Sequence, residues 1–279
     1  MYADLLSDLV PLAAKAGEAI LEIYESDFAV ETKADDSPLT QADLASHGVI
    51  VAGLGELTPD IPILSEESTP PAYEVRKDWQ RYWLIDPLDG TKEFVNRNGE
   101  FTVNIALIAG NAAVLGVVGL PTRGLVYTGD TAAGLAQCHD LGEPAQAPRT
   151  LHGRAWQGGR ELTVVASRSH GGDRLESYMG ELQDRFGSVS RTPVGSSLKL
   201  CILAEGRADI YPRLGPTSEW DIAAAHAVLS AAGGDLWAAN GEELMYNAED
   251  NLLNPEFIAV ADGSFDWRAA LPAVPDKDA

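Results

Sequence analysis

The stretch that most constrains this chain is Trp83-Leu84-Ile85-Asp86-Pro87-Leu88-Asp89-Gly90-Thr91-Lys92-Glu93-Phe94. Trp83 to Ile85 read as the end of a buried strand, and Asp86-Pro87 is expected to stop its ladder because proline has no amide to donate. Asp89-Gly90-Thr91 then reads as a turn into a new segment, with Thr91 as a helix N-cap. Two carboxylates three residues apart on a stiff turn reach one small volume, and there they repel unless a cation neutralises them. Hard oxygen ligands of this kind suit Mg²⁺. The amides of Gly90 and Thr91, facing out of a helix start, would favour a phosphate at the same place. Metal beside phosphate points to phosphoryl chemistry; an ordinary Asp-Gly turn capping a helix accounts for the same residues.

Charge narrows the partners. Lys and Arg number 20 against 42 Asp and Glu, a net charge of −22 over 279 residues. A surface this acidic argues against wrapping nucleic acid or docking on anionic lipid, both of which need basic faces. It leaves room for a small phosphorylated substrate, which a bound cation and a few local basic residues can hold. The two cysteines, Cys138 and Cys201, have no metal-ligand or CxxC spacing and read as free thiols in a reducing compartment. The segment from Met1 to Glu31 lacks a basic n-region and is broken by Asp4, Asp8, Glu18 and Glu22, so no secretory signal is expected. A cytoplasmic protein follows, with peripheral contact at the inner membrane left open. Phe101 to Thr122 is uncharged and long enough to span a bilayer, but β-branched alternation on both sides of Gly110-Asn111 reads better as two paired strands, Thr102–Ala109 and Ala113–Leu120.

Apolar spacing predicts an amphipathic helix over residues 2–25, with Pro11 marking a kink or a later start. A strand at Val30–Asp35 follows, then a helix from 41 to about 57 capped by Thr40, and a short strand, Ile63–Glu67, ending in two adjacent acids. Residues 69–80 read as loop, Lys92 to Gly99 as a short helical or looped connection, and Gly124–Tyr127 as a last strand of a mostly antiparallel sheet. Residues 129–160 have the weakest periodicity of the chain. Beyond them strands and helices alternate: strand 162–166, helix 173–185, strand 188–193, helix 196–205, strand 208–211, helix 221–232, then strands 234–238 and 256–261. That alternation suggests an α/β layer with parallel strands. The expectation is an α/β protein, in the sense of an α+β layered sandwich, with two subdomains: 1–160, 161–271 and a disordered tail, 272–279.

Other residues carry two readings. Asp43, three residues after Thr40, is fully explained as a helix-start acid favoured by the dipole. Glu66 and Glu67 are adjacent in extended chain, so they point to opposite faces and would not ligate one ion equally. Asp221 opens an Ala-rich helix and could be its N-cap, or a third carboxylate on the ion if that helix start faces the Asp86–Asp89 turn. His226, one turn on, reads as a packed helix residue. Between Arg185 and Arg213 five basic residues meet two acids, either a solvated basic face or a second phosphate pocket.

Glu66-Glu67, Asp86–Thr91 and Trp220-Asp221 together resemble the three-part metal signature of the inositol monophosphatase superfamily, Mg²⁺-dependent and lithium-sensitive phosphomonoesterases. Leu64–Glu67, Asp89–Phe94, Asn98–Leu107, Ser167–His170 and Gly195–Lys199 resemble more specifically its bacterial 3′(2′),5′-bisphosphate nucleotidases, from about Ala14 to Ile258. The resemblance implies hydrolysis of 3′-phosphoadenosine 5′-phosphate to AMP and phosphate by in-line attack of water, with no covalent enzyme intermediate. It implies Mg²⁺ on Glu66, Asp86, Asp89, Asp221 and the Leu88 carbonyl, with Glu67 supporting Glu66. Asp43 would pair with Thr91 to polarise the water, Gly90 and Thr91 would cradle the scissile phosphate, and Ser196, Lys199 and Arg213, with His170 before them, would hold the nucleotide and its other phosphate. Glu66, Leu88, Asp89 and Asp221 thereby border the substrate as well. The rivals are an inositol or other sugar monophosphatase, which needs no second phosphate pocket, and a non-catalytic regulator, which needs no Asp43 with Thr91. Monomer and dimer are both compatible with these residues.

Overall fold

A computed structural model describes residues 3–26, 38–167 and 172–275. The expected strand at Val30–Asp35 lies outside them. Helix α1 (Ala3–Tyr24) runs on through Pro11, so the later start does not occur. Helix α2 (Pro38–Leu57) begins at Pro38 and not at Thr40. A proline fits the first turn, where its missing amide would have had no partner, and Thr40 therefore lies inside the helix and does not cap it.

Nine elements build the first sheet and its connections: β1 (Ile63–Ser65), α3 (Tyr73–Arg76), β2 (Arg81–Asp89), α4 (Thr91–Val95), β3 (Thr102–Ala109), β4 (Ala112–Leu120), β5 (Leu125–Asp130), β6 (Leu135–Asp140) and β7 (Arg149–Thr150). The strands lie in chain order, antiparallel except for the parallel pair β1–β2. Gly110 and Asn111 both have positive φ, 57° and 64°, as a tight two-residue hairpin turn requires. The uncharged stretch 101–122 is thus the β3–β4 hairpin, and among the described residues no helix is long and apolar enough to cross a membrane. Two expectations need correction. Residues 69–80 contain the single turn α3, and the weakly patterned 129–160 supplies β6 and the two-residue edge strand β7.

The second sheet follows with β8 (Leu162–Ser167), α5 (Gly172–Phe186), β9 (Val189–Val194), α6 (Leu198–Ala204), β10 (Ile210–Arg213), α7 (Ala223–Ala231), β11 (Asp235–Ala238), β12 (Phe257–Val260) and α8 (Trp267–Ala270). Its order is β11-β12-β10-β8-β9, parallel among β9, β8 and β10 but antiparallel at β10–β12 and β12–β11. The sheet is mixed because β12 runs antiparallel to both of its neighbours.

Side-chain alternation sorts the strands into layers. On β2, Trp83 and Ile85 face the helices α1 and α2, while Tyr82 and Leu84 face inward with α6 and α7. On β10 and β12, Tyr211 and Phe257 join that same inner cluster, and Ile210 and Ile258 pack outward with Tyr178 of α5 and Trp267 of α8. The result is helix, sheet, helix, sheet, helix. The middle layer fits because α7 is Ala-rich and the sheet beneath it is notched. A Cβ on Gly116 would fall 1.9 Å from Ala224 O, and one on Gly129 2.5 Å from Val228 Cα. The tail is also ordered as far as it is described: Arg174 donates from Nη2 to Pro275 O at 2.6 Å, and Val274 packs on the outer cluster.

Candidate active site

The acidic end of the site is built where α2 meets the ends of β1 and β2. Asp43, Ser46 and His47 are spaced i, i+3, i+4 and so share one face of α2. Ser46 Oγ donates to Pro87 O at 2.8 Å, and His47 Nδ1 lies 2.9 Å from Ser65 Oγ, which accepts from Glu67 N at 3.2 Å. Strand β2 does not stop at Asp86-Pro87. Its ladder with β3 shifts register between Asp86 and Asp89, and Pro87 sits in that irregularity, where no amide is called for. Asp86 is buried, and its Oδ1 accepts from Leu88 N at 3.0 Å. Gly90, with φ 94°, is the N-cap of α4, and Thr91 is its first helical residue. The N-cap expected of Thr91 therefore belongs to Gly90, the residue that tolerates a left-handed backbone.

Asp221 closes this end. It does not cap the Ala-rich helix, which starts at Ala223. Asp221 is the third residue of the 3₁₀ turn Glu219–Asp221, and its Oδ2 accepts from Ser218 N at 2.9 Å in a capping box. The turn delivers its carboxylate to the other two: Glu66, Asp86 and Asp221 each offer an oxygen within 4.8 Å of the others. Asp89 is not in that closest trio; its Oδ2 accepts from Ser197 N. Leu88 buries its side chain in the cluster packed under α1 and α2.

Crowded anions raise one another's pKa. Burial pushes Asp86 well above the carboxylate range, and Asp89, Glu66 and Asp221 add to it. Asp89 is pushed up to about 7 by burial and Asp221, against the pull of Lys199 and the Ser197 amide. Asp221 reaches about 6, again through burial first, with the Ser218 amide opposing and Glu66 reinforcing. Glu66 is raised by burial, although a hydrogen bond with Asp86 offsets part of it. Asp43 climbs to about 8 through burial, then the charges of Glu67 and Glu66, and its buried Oδ1 has no hydrogen-bond partner. This donor set fits a divalent cation: all hard oxygen, mutually repelling, and short of positive partners.

A cavity of about 330 Å³ opens from the acidic end, where Asp89, Gly90, Thr91 and Asp221 line it, to a basic end with Ser196, Lys199, Tyr211 and Arg213. Lys199 is buried on α6, 5.4 Å above the Tyr211 ring. It donates to Ser196 O, and burial lowers its pKa to about 8 although Asp89 opposes that shift. Arg213 donates from Nε to Gly215 O at 3.2 Å and from Nη2 to Pro216 O at 2.7 Å. The remaining basic residues of 185–213 point elsewhere. Arg185 donates to Ala269 O, Arg191 pairs with Glu176 and Arg207 with Glu205. His170 lies outside the described residues. His226 is a packed residue, its Nδ1 2.9 Å from Tyr246 OH, and burial lowers its pKa to about 4.

The chain matches the inositol monophosphatase family over residues 2–266. The chain belongs to the inositol monophosphatase family. Among its relatives, the 3′(2′),5′-bisphosphate nucleotidase CysQ of Salmonella typhimurium is 49% identical over 255 residues, covering 91% of this chain and 98% of the relative. The same-named protein of Escherichia coli K12 is 47% identical over the same shares, and that of Haemophilus influenzae 35% identical over 95% and 96%. Among solved structures, CysQ from Bacteroides thetaiotaomicron, described as a bacterial member of this family, superposes with a TM-score of 0.84 at 41% identity, over 93% of this chain and 98% of that one. An inositol monophosphatase from Zymomonas mobilis shares the fold, with a TM-score of 0.77 at 22% identity and 97% of each chain covered.

Within this family fold, Tyr211 and Ser197 are among the cavity residues that were given no role from sequence. Tyr211 lies two positions before Arg213 on β10, so the two share a face; that period-2 spacing was the available signal. Ser197 stands inside the Gly195–Lys199 motif, but nothing local points to its partner Asp89, 108 positions away.

Proposed function

We propose that this protein is a metal-dependent 3′(2′),5′-bisphosphate nucleotidase that hydrolyses 3′-phosphoadenosine 5′-phosphate to AMP and phosphate in the cytoplasm. The supporting observation is one cavity lined at one end by Asp89 and by Asp221, which meets Glu66 and Asp86, and at the other by two buried cations, Lys199 and Arg213. A bisphosphate has a use for both ends, whereas a monophosphate needs only the first.

On this reading Glu66, Asp86, Asp89, Asp221 and the Leu88 carbonyl hold Mg²⁺, with residues 1–160 supplying most of the ligands and 161–271 completing them. Mg²⁺ so held supplies charge neutralisation at the phosphate and acidifies the attacking water. Asp43 and Thr91 orient that water for in-line attack on the 3′-phosphorus. Asp43 suits this part because it lies buried beside Glu66 and Glu67 with one carboxylate oxygen, Oδ1, that has no hydrogen-bond partner in the fold. The amides of Gly90 and Thr91 bind the oxygens of the scissile phosphate, and Ser196, Lys199 and Arg213, with His170, bind the 5′-phosphate and nucleoside. The P–O3′ bond breaks, the water oxygen stays on phosphorus, and one of its protons ends on the 3′-hydroxyl.

The deciding experiment measures phosphate release from adenosine 3′,5′-bisphosphate, 3′-AMP and inositol phosphate, with Mg²⁺ and with chelator. The bisphosphate should be the best substrate, and chelation should abolish turnover. A preference for inositol phosphate would overturn the substrate, and activity that survives chelation would overturn the metal.

A further inference from the structure

Strand β3 is buried from end to end but for Ala109, yet it carries Thr102 and Asn104, 0% and 1% exposed. Polar side chains in such a strand cost stability unless they are hydrogen-bonded. Their partner is Ser197, 4% exposed at the start of α6 and 95 positions from Thr102. Ser197 Oγ donates to Asn104 Oδ1 at 2.7 Å, and Asn104 Nδ2 donates to Thr102 Oγ1 at 3.4 Å. Thr102 and Ser197 hydroxyls are 2.9 Å apart; with the Ser197 proton committed to Asn104, Thr102 is the donor. Each side chain thus donates once and accepts once around a closed ring, an arrangement whose members polarise one another.

The ring joins the first sheet to the loop that enters α6. It turns the Ser197 side chain into the core and leaves the Ser197 amide directed at Asp89 Oδ2. The residues before it are held just as tightly. Ser196 has φ 46°, a left-handed conformation rare for a residue with a Cβ. Gly195 N donates to Glu100 Oε2 at 2.8 Å, and a Cβ on Gly195 would fall 2.4 Å from Glu93 Cγ.

We infer that Thr102 and Asn104 are positioning residues for this reaction: through Ser197 they hold the Asp89 carboxylate in its ion-binding orientation and keep loop 195–197 as a wall of the substrate cavity. The inference rests on the reading of Asp89 as a metal ligand. Neither residue lines the cavity; both act through Ser197.

The test titrates Mg²⁺ alone into the chelator-stripped full chain by calorimetry, and measures KM and kcat on the bisphosphate, for wild type, Asp89→Asn, Thr102→Val, Thr102→Ser and Ser197→Ala. Thr102→Val keeps the shape and removes the hydroxyl. It should weaken Mg²⁺ binding about tenfold, equivalent to about 1.4 kcal/mol, and raise KM by a similar factor. Thr102→Ser keeps the hydroxyl and should restore both to within about twofold of wild type. Ser197→Ala lies outside the sheet and should reproduce Thr102→Val, which keeps the test valid if the strand variant does not fold. Lowered melting temperatures with wild-type Mg²⁺ binding and KM would reduce the ring to a packing device and overturn the inference. Asp89→Asn binding Mg²⁺ as wild type does would overturn the ligand reading first; weakened binding there with unchanged binding in the ring variants would overturn the inference alone.

Discussion

The two ends of the cavity hold their charges by opposite means. At the acidic end Glu66, Asp86 and Asp221 face one another with no cation among them, and every one has its pKa raised. At the basic end Lys199 and Arg213 are already occupied by carbonyl groups of their own loops, Ser196 O for one and Gly215 O and Pro216 O for the other. The first arrangement is unstable without a ligand, and the second is complete without one. Repulsion kept within a fold marks the place where an ion and a reaction belong. Cations held by neutral carbonyl groups keep their full charge for a phosphate.

If the acidic end carries the chemistry, removing one of its charges should have the largest effect. Asp86→Asn, Asp89→Asn or Asp221→Asn should lower phosphate release by orders of magnitude at saturating Mg²⁺. The same change removes a repulsive charge, so the chelated variant should melt at or above the wild type. Near-normal turnover in Asp89→Asn would break the comparison at its stronger side.

The basic end should respond more mildly and with selectivity. Lys199→Ala and Arg213→Ala each delete a charge-assisted contact worth roughly 1.5–3 kcal/mol, about tenfold to a hundredfold in kcat/KM on the bisphosphate. On 3′-AMP, which has no second phosphate, the same variants should lose little. Equal losses on both nucleotides would mean that this end serves folding and not recognition.

The smallest effect is thermal and depends on pH. In the ion-free fold Asp43, Asp89 and Asp221 titrate near 8, 7 and 6 against 3.8 for a free aspartate. A carboxyl whose pKa is raised by folding stabilises the fold while protonated, so this contribution is complete below about pH 4 and is lost as pH rises through about 6 to 8. Lys199, lowered to about 8, works the other way, one group against three. Stripped protein should therefore melt lower at about pH 8 than at about pH 5, and Mg²⁺ should recover most at the higher pH. A melting temperature indifferent to both would remove the contrast between the two ends.

The acidic residues around the site were legible because each stands beside its own local signal: Asp86 and Asp89 on one turn, Glu66 at a strand end, Asp221 after Trp220. The same local signals misled on caps. Thr40, Thr91 and Asp221 have the chemistry of N-caps, but the first cap position went to none of them; Pro38 starts α2, Gly90 takes the left-handed position before α4, and Asp221 completes a capping box on a 3₁₀ turn. Strand β7 was illegible for another reason, since a two-residue exposed edge strand needs no alternation, and β6 buries only Ala136 and Cys138, too few for a clear pattern. The basic run from Arg185 to Arg213 read as one patch because the chain is one-dimensional, and the fold dispersed it to three different partners and one cavity.

Taken alone, the sequence determined the residue chemistry and the order of elements: a buried strand ending in paired carboxylates, a β3–β4 hairpin turning at Gly110-Asn111, and an Ala-rich helix with Asp221 before it. Those features depend on neighbours within a few residues, where periodicity and turn chemistry act directly. Tertiary structure alone decided which distant pieces meet. Only the stacking of two sheets about α6 and α7 brings Asp221 within 4.8 Å of Glu66 and Asp86 and sets Ser197 on Asp89. Contacts made across about a hundred residues leave no periodic mark on either partner, because the energy that holds them lies in the packed layers between.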